Sequence, residues 1–338
     1  MSAARSSTIS RRKMLALVGG VAGGGALGAV GLPRAGVAQS AMPNFFRICA
    51  GPFDSAAYGV AGMLGNLLSS PPGGRPCERG GSCGVQGLIA VALAAESANE
   101  VLSMVMSGQA EAAVISAFYL TGAQAKSVRT VASLHSRDMH ILVRQDAEID
   151  SIVDLRRSRI AIGIGADIET QVPRSIIRHA KLLGAGQRAD VMQIRYGLEA
   201  LAEGEIDAFF AMLTPPAPLL AERAKSLPLS MISMTEQDIP PDLKSVSDLH
   251  LIPGGTYSGV GEASVLVVPR QLVVRADLSD DFVYALTGAL WHPQTVKAMA
   301  GAGLPYADIL PETALQAIVQ PLHPGAERYY REKGLIAN

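Results

Sequence analysis

The stretch VRTVASLHSRDMHILVRQD, residues 128–146, decides how the rest of the chain is read. It contains a strand far longer than the five or six residues that are usual. On its N-terminal side lie three strand-like runs and two helical ones. FFRICAG reads as a buried strand, and SAAYGVAGMLGNLLSS has helical spacing with Asp54 or Ser55 as its N-cap. GLIAVALAA is a second strand, SANEVLSMVMSG a helix with Gly108 at its C-terminal cap, and AEAAVISA a third strand. That alternation predicts a parallel sheet with right-handed crossovers.

On its C-terminal side the pattern restarts. SIVDLRR ends a short helix and RIAIGIG is a strand. DIETQVPRSIIRHAKLLGA is a helix that Gly184 ends, DVMQIRY is a strand, and GLEALAEGEIDAFFAML is a helix running into another strand. A second long run, SVLVVPRQLVVRADL at residues 264–278, then leads back. SDDFVYALTGALW follows as a helix capped by Ser279, with Asp280 and Asp281 in its first turn. The chain therefore leaves one α/β lobe, builds a second and returns. Two crossings make a hinge, and ligands of such folds sit between the lobes at strand ends and helix starts.

Composition narrows the function. The 338 residues are 49% hydrophobic and 17% charged, enough for a large core and two domains. Aromatics are only 5% and the body carries no basic run, which argues against nucleic acid as a partner. Residues 1–38 have a basic start, a Gly/Ala/Leu/Val stretch and small residues at the end, the pattern of an export signal. Ser10-Arg11-Arg12-Lys13-Met14-Leu15 resembles a twin-arginine (Tat) signal; a basic start for general secretion is the other reading. Cleavage after Ala38 removes five bases and no acid, taking the formal net charge from −1 to −6. The mature protein is then expected in the periplasm. Cys77 and Cys83 lie in a loop rich in Gly and Pro, and in an oxidising compartment such a pair favours a disulfide. A metal site is the rival, but no third and fourth ligand accompany the pair. Cys49 in FRICAG reads as a buried small hydrophobe.

The chain offers no hydrolase elbow, Walker loop, zinc helix or Rossmann fingerprint in a convincing context. No catalytic residue, cofactor or metal is assigned, and the chain is not read as an enzyme. GIGAD, between a strand and a helix, is either an anion-binding helix start or a tight turn that needs glycine. None of the six histidines has metal spacing on one helix face. His323, in PLHPGAERYYREKGL, reads as structural, with Pro324 and Gly325 stopping a helix that starts at Ala326.

That C-terminal segment resembles the signature of the TAXI family of TRAP-transporter solute-binding proteins. RPCERGGSCGVQGLIAVA, DAFFAMLTPPAP, IPGGTYSGV and VVRADLSDDFVYALTGALW resemble further stretches of the family, so the likeness runs over nearly the whole mature chain. The resemblance implies a periplasmic-binding-protein type II-like α/β fold, with two lobes, a hinge and an interlobe ligand cleft. Lobe 1 is expected at residues 42–136 and 262–338, and lobe 2 at 137–261. It implies a monomer that captures a small solute, a carboxylate or related metabolite, for a TRAP-type membrane permease. An exported protein that signals to a membrane sensor is the alternative.

Scaffold motifs are kept while cleft motifs depart from the family. Its Gly-x-Pro-Gly-Ser-Gly-Thr loop is here Gly163-Ile164-Gly165-Ala166-Asp167-Ile168-Glu169-Thr170, and its Gly-Gly-Tyr-Pro is Leu213-Thr214-Pro215-Pro216. Asp54, Asp167 and Glu169 would repel an anion unless paired. The expected ligand thus differs from a plain dicarboxylate, being more apolar or partly cationic; a vestigial site is the other reading. The cleft is expected to be lined by Tyr58, Ser97, Asn99, Ser116, Arg137, Asp167, Thr170, Thr214 and Tyr257, with Arg137 as its one strong cation.

Overall fold

The computed structural model describes residues 44–165 and 167–337. The export signal read at residues 1–38, with its cleavage near Ala38, lies outside the described residues. Among those described, no helix is long and apolar enough to cross a membrane.

The first half of the chain folds as β1 (Asn44–Ala50), α1 (Ala56–Leu68), the short β2 (Ser69–Ser70) and β3 (Val85–Gln86), then β4 (Leu88–Ala94), α2 (Ala98–Met106) and β5 (Ala112–Ser116). Ser55 and Ser97 cap the two helices, each accepting a backbone N–H from three residues on. Strand β6 (Val128–Arg144) then carries the chain into β7 (Ile160–Gly163), α3 (Ile168–His179), β8 (Asp190–Met192), α4 (Ile194–Ala202), β9 (Ala208–Leu213), α5 (Pro218–Arg223), β10 (Leu229–Met231) and β11 (Asp248–Ile252). Strand β12 (Ala263–Arg275) returns it to α6 (Asp280–Leu290), α7 (Pro293–Gly301) and α8 (Pro324–Glu332).

The main sheet runs β4-β1-β5-β12-β6-β9-β7-β8. Its ends are parallel, β1 with β4 and β5, and β7 with β8 and β9. Its middle is the antiparallel pair β6 and β12, paired from Arg275 opposite Val128 to Val267 opposite Asp138, with register shifts between Pro269 and Gln271 and between Leu272 and Val273. This is the two-lobed α/β arrangement expected from the two long runs. Each lobe is apolar on both sheet faces. Around β1 and β5, the Phe46, Ile48 and Leu64 core lies on one face and the Val105, Ala113 and Ile115 core on the other. Around β7 and β9, Ile162, Ile176 and Phe210 oppose Leu201, Phe209 and Leu220.

Three boundaries differ from the sequence reading. Helix α3 ends at His179 rather than running to Gly184, because Lys181 turns left-handed at φ 53°. The Leu182 N–H then donates to the Ile177 carbonyl at 3.1 Å, a Schellman-type stop that swings Leu182 into the core. Strand β8 stops at Met192, since Gln193 already accepts the Gly197 N–H at 2.9 Å and opens α4. Helix α8 starts at Pro324, not Ala326, with proline at its favoured first position. Gly325 then lies against α6, where a Cβ would meet the Asp280 carbonyl oxygen at 2.2 Å.

Candidate functional site

The site is built on the two crossing strands. Arg137 of β6 stands opposite Val268 of β12, and Arg270 is two residues on from Val268. Alternation along a strand puts both arginines on one face. They meet the start of α3. Arg270 Nη1 donates to Asp167 Oδ2 at 3.0 Å and its Nη2 lies 3.7 Å from Glu169 Oε1. Arg137 Nη2 donates to the same Glu169 oxygen at 3.4 Å. Asp167 occupies the N-cap position of α3 yet makes no side-chain cap bond; its carboxylate is turned to the arginine instead. Glu169 folds back over the preceding turn, where a Cβ on residue 165 would stand 2.6 Å from Glu169 Cβ, so only glycine fits there. The GIGAD turn therefore needs its glycine, and the protein's own acids occupy the helix start.

The first lobe closes on this cluster. Gly51 and Pro52 after β1, Ser97 at the cap of α2, and Val114 and Ile115 of β5 face Asp167 and Arg270 across a cavity of about 20 Å³. That is room for about one water molecule. Arg270 is almost fully buried, its side chain 5% exposed, while Arg137, Asp167 and Glu169 keep 23%, 23% and 18%.

Polar capacity in the cluster is not used up. Arg137 Nε, Arg270 Nε, Asp167 Oδ1 and both ring nitrogens of His135 are buried without a hydrogen-bond partner. Such groups cost free energy unless something satisfies them. Burial, then the charges of Arg270 and Arg137, push His135 down to about 3, so its imidazole is neutral. Burial also lowers Arg137, partly offset by Glu169. Burial first, then the charge of Asp167, raises the Tyr119 phenol. The result is a closely balanced set of two cations and two anions at the hinge.

Of the residues expected in the cleft, Ser97, Arg137, Asp167 and Thr170 come together. The Thr170 hydroxyl donates to the Gly165 carbonyl at 3.2 Å, holding the turn. Ser116 is buried on β5 directly opposite Arg270, and its hydroxyl accepts the Phe118 N–H at 3.3 Å. Tyr58 stacks against Phe53 with ring centroids 4.9 Å apart, and Asn99 is exposed; neither lines the small cavity. Thr214 instead lines a separate cavity of about 310 Å³ with Ser136, Asp138, His250 and Asp308. Tyr257 is 1% exposed in a core, its hydroxyl accepting the Ala217 N–H at 3.1 Å and lying 2.9 Å from His140 Nε2. Arg270 is the residue the sequence reading missed. A lone arginine inside VLVVPRQLVV was its signal, since a charge in a buried strand needs a partner.

Elsewhere, Cys77 and Cys83 are bonded to each other, and Cys49 is free and buried. His323 caps α8: its Nδ1 accepts the Gly325 N–H at 3.2 Å and its Nε2 lies 3.1 Å from the Leu278 carbonyl oxygen.

Solved structures of similar architecture include a Xanthomonas citri protein bound to chloride ion. It has 14% identity and a TM-score of 0.47, over 85% of this chain and 95% of that one. Another is the putative periplasmic sulfonate-binding protein of a Methylobacillus flagellatus ABC transporter, at 14% identity and TM-score 0.46, over 87% and 88%. A Prochlorococcus marinus protein in complex with methylphosphonate matches at 12% identity and TM-score 0.44, over 87% and 100%. The NMT1-like family matches residues 54–334, from the loop before α1 to the end of α8. With that span covering both lobes and both crossings, the chain belongs to the NMT1-like family.

Proposed function

We propose that this protein is an extracytoplasmic solute-binding protein of the TAXI type, which captures a small carboxylate-bearing solute and delivers it to a TRAP-type membrane permease. The observation that carries the reading is the arginine pair. Arg137 and Arg270 come from the two crossing strands and converge where the loops of one lobe meet the helix start of the other. Each keeps an unpartnered Nε, and guanidinium groups match carboxylates in geometry as well as charge. Asp167 Oδ1 makes no hydrogen bond of normal geometry, although the Tyr119 phenol lies close enough to interact with this carboxylate. A solute with both a carboxylate and a donor, an ammonium or a hydroxyl, suits this set better than a plain dicarboxylate.

Lobe 1 is residues 42–136 and 262–338 in this reading, and lobe 2 is 137–261. A cavity of about 20 Å³ holds no solute, so the lobes part about β6 and β12 to admit one. Entry exchanges the internal ion pairs of Asp167 and Glu169 for contacts to the ligand. Export by a Tat-like signal and a monomeric state complete the proposal.

Mass spectrometry of small molecules released from the purified mature protein, followed by calorimetry with the compound found, tests it. A carboxylate-bearing metabolite at about one per chain supports the reading. No released compound, together with no heat from amino acids, hydroxy acids and mono- or dicarboxylates, overturns it. Gradient-driven uptake that requires this protein would distinguish delivery to a permease from signalling to a sensor.

A further inference from the structure

The loop that carries Cys77 and Cys83 does not stand alone. Chain folding brings His292, 215 residues away in sequence, to the disulfide, with its Nε2 at 3.8 Å from Cys77 Sγ. The two sulfurs and one ring nitrogen all lie within 4.8 Å of one another, and all three residues are half-buried. The geometry is held from both sides. His292 is the N-cap of α7, where its Nδ1 accepts the Gln294 N–H at 3.2 Å, which turns Nε2 toward the sulfur. The loop is pinned by the Gly81 N–H donating to the Pro76 carbonyl at 3.0 Å, by the Ser82 hydroxyl on the Ser69 carbonyl, and by the Gly87 N–H on the Ser70 carbonyl at 2.7 Å.

We propose that Cys77, Cys83 and His292 form a redox-gated site for a thiophilic metal cation, Zn²⁺ or Cu⁺, which is closed while the cysteines are bonded and opens when they are reduced. The sequence lacked a third ligand beside the pair, and the fold supplies one. Ligand bonds of about 2.3 Å to sulfur and 2.0–2.1 Å to nitrogen put S and N about 3.5 Å apart across a tetrahedral ion, close to the separation already present. The sulfurs must part from bonding distance to about 3.8 Å by the same geometry. Two thiolates and an imidazole are a soft donor set that favours these ions over Mg²⁺ or Ca²⁺. A fourth position stays open to water or another small ligand.

The chemistry balances. A dithiol reductant gives two electrons and two protons to the Cys77–Cys83 bond and leaves as its own disulfide. Each thiol then loses its proton as the cation, Zn²⁺ or Cu⁺, binds. His292 coordinates through Nε2 with its ring proton on Nδ1, which gives up the cap bond to Gln294. Metal occupancy therefore reports the redox state of the pair.

The test uses mature protein reduced with a phosphine, freed of reductant without air, and titrated with Zn²⁺ against a chromophoric chelator. Co²⁺ in a parallel sample reads thiolate-to-metal charge transfer. One ion per chain is expected in reduced protein and none at this site in oxidised protein. His292→Asn keeps a cap acceptor but removes Nε2, and should weaken reduced-state binding by at least about tenfold without lowering the melting temperature of the oxidised form. Reduced protein that binds no more tightly than Cys77→Ser/Cys83→Ser overturns the site. So does His292→Asn that binds as tightly as the parent.

Discussion

Replacing Arg270 by methionine isolates what the hinge cluster does. Methionine keeps much of the volume and removes the charge. The substitution strips Asp167 of its 3.0 Å ion pair and leaves Glu169 with Arg137 alone at 3.4 Å. Removing one partner of a fully buried pair costs about 3–5 kcal/mol. The two acids here are roughly a fifth exposed, with side chains at 23% and 18%, and can rehydrate in part. A loss of about 2–3 kcal/mol is then expected, or roughly 3–5 °C in melting temperature for a chain of this size. A solute carboxylate held by Arg270 loses a charged hydrogen bond of about 1.5–3 kcal/mol, a rise in Kd of about ten- to a hundredfold. Arg137→Met should change affinity in the same direction but by less, since its side chain is already 23% exposed. Scanning calorimetry reads the first number and titration calorimetry with the co-purified solute reads the second. Unchanged affinity would remove Arg270 from the site. An unchanged or raised melting temperature would show that desolvation cancels the ion pairs.

His323→Ala should lose about 2–3 kcal/mol of stability from its two backbone contacts at 3.1 and 3.2 Å, yet keep affinity within about twofold; normal folding with tenfold weaker binding would place it in the cleft. Alkylation before and after reduction should find Cys77 and Cys83 bonded in exported protein, and two free thiols there refute the bond. The hinge should make stability fall on acidification. Buried His135 and His140 are pushed down to about 3 and about 4 from 6.5, so they contribute stability that is present above about pH 6.5 and lost as pH falls. Asp138, raised by burial from 3.8 to about 6, acts oppositely, its contribution being lost as pH rises through 6, but one group opposes two. Melting should thus come earlier at pH 5 than at pH 7, with His135→Leu flattening the slope, and a flat parent profile refutes the assignment. Small-angle scattering should show a radius of gyration that shrinks when solute closes an open population, and an identical radius at saturation would mean a rigid protein.

The fold was legible because its deciding features are local. Apolar runs of ordinary length, Ser55, Ser97 and Ser279 at helix starts, and two runs too long for one lobe are all visible in the order of residues. The errors at α3, β8 and α8 share a cause. At each, a tertiary contact overrode the nearest turn-forming residue: Leu182 entering the core, Gly197 packing where a Cβ would meet the Phe209 ring at 2.6 Å, and Gly325 lying against α6. Propensity places a stop to within a few residues, and packing chooses which one is used.

The cleft was less legible because its residues are assembled from elements far apart. Asp167 and Arg270 are 103 residues apart, and neither alone announces the other. Where the side chain had no local use, as with Arg137 and Asp167, the polar residues taken from strand ends found partners on distant elements. They were less informative where a nearby backbone group claimed the side chain. Ser116 caps its own turn, and Tyr257 serves the Ala217 N–H from inside a core. A hydroxyl can satisfy itself close to home, which makes it a weak marker of a ligand. A guanidinium in an apolar strand cannot, because its five donors and fixed charge demand partners from other elements. The more telling signal in this sequence was therefore the arginine in VLVVPRQLVV rather than any of the serines and threonines around it. In the proposed binding mode, the two acids at the start of α3 are the groups a solute would displace.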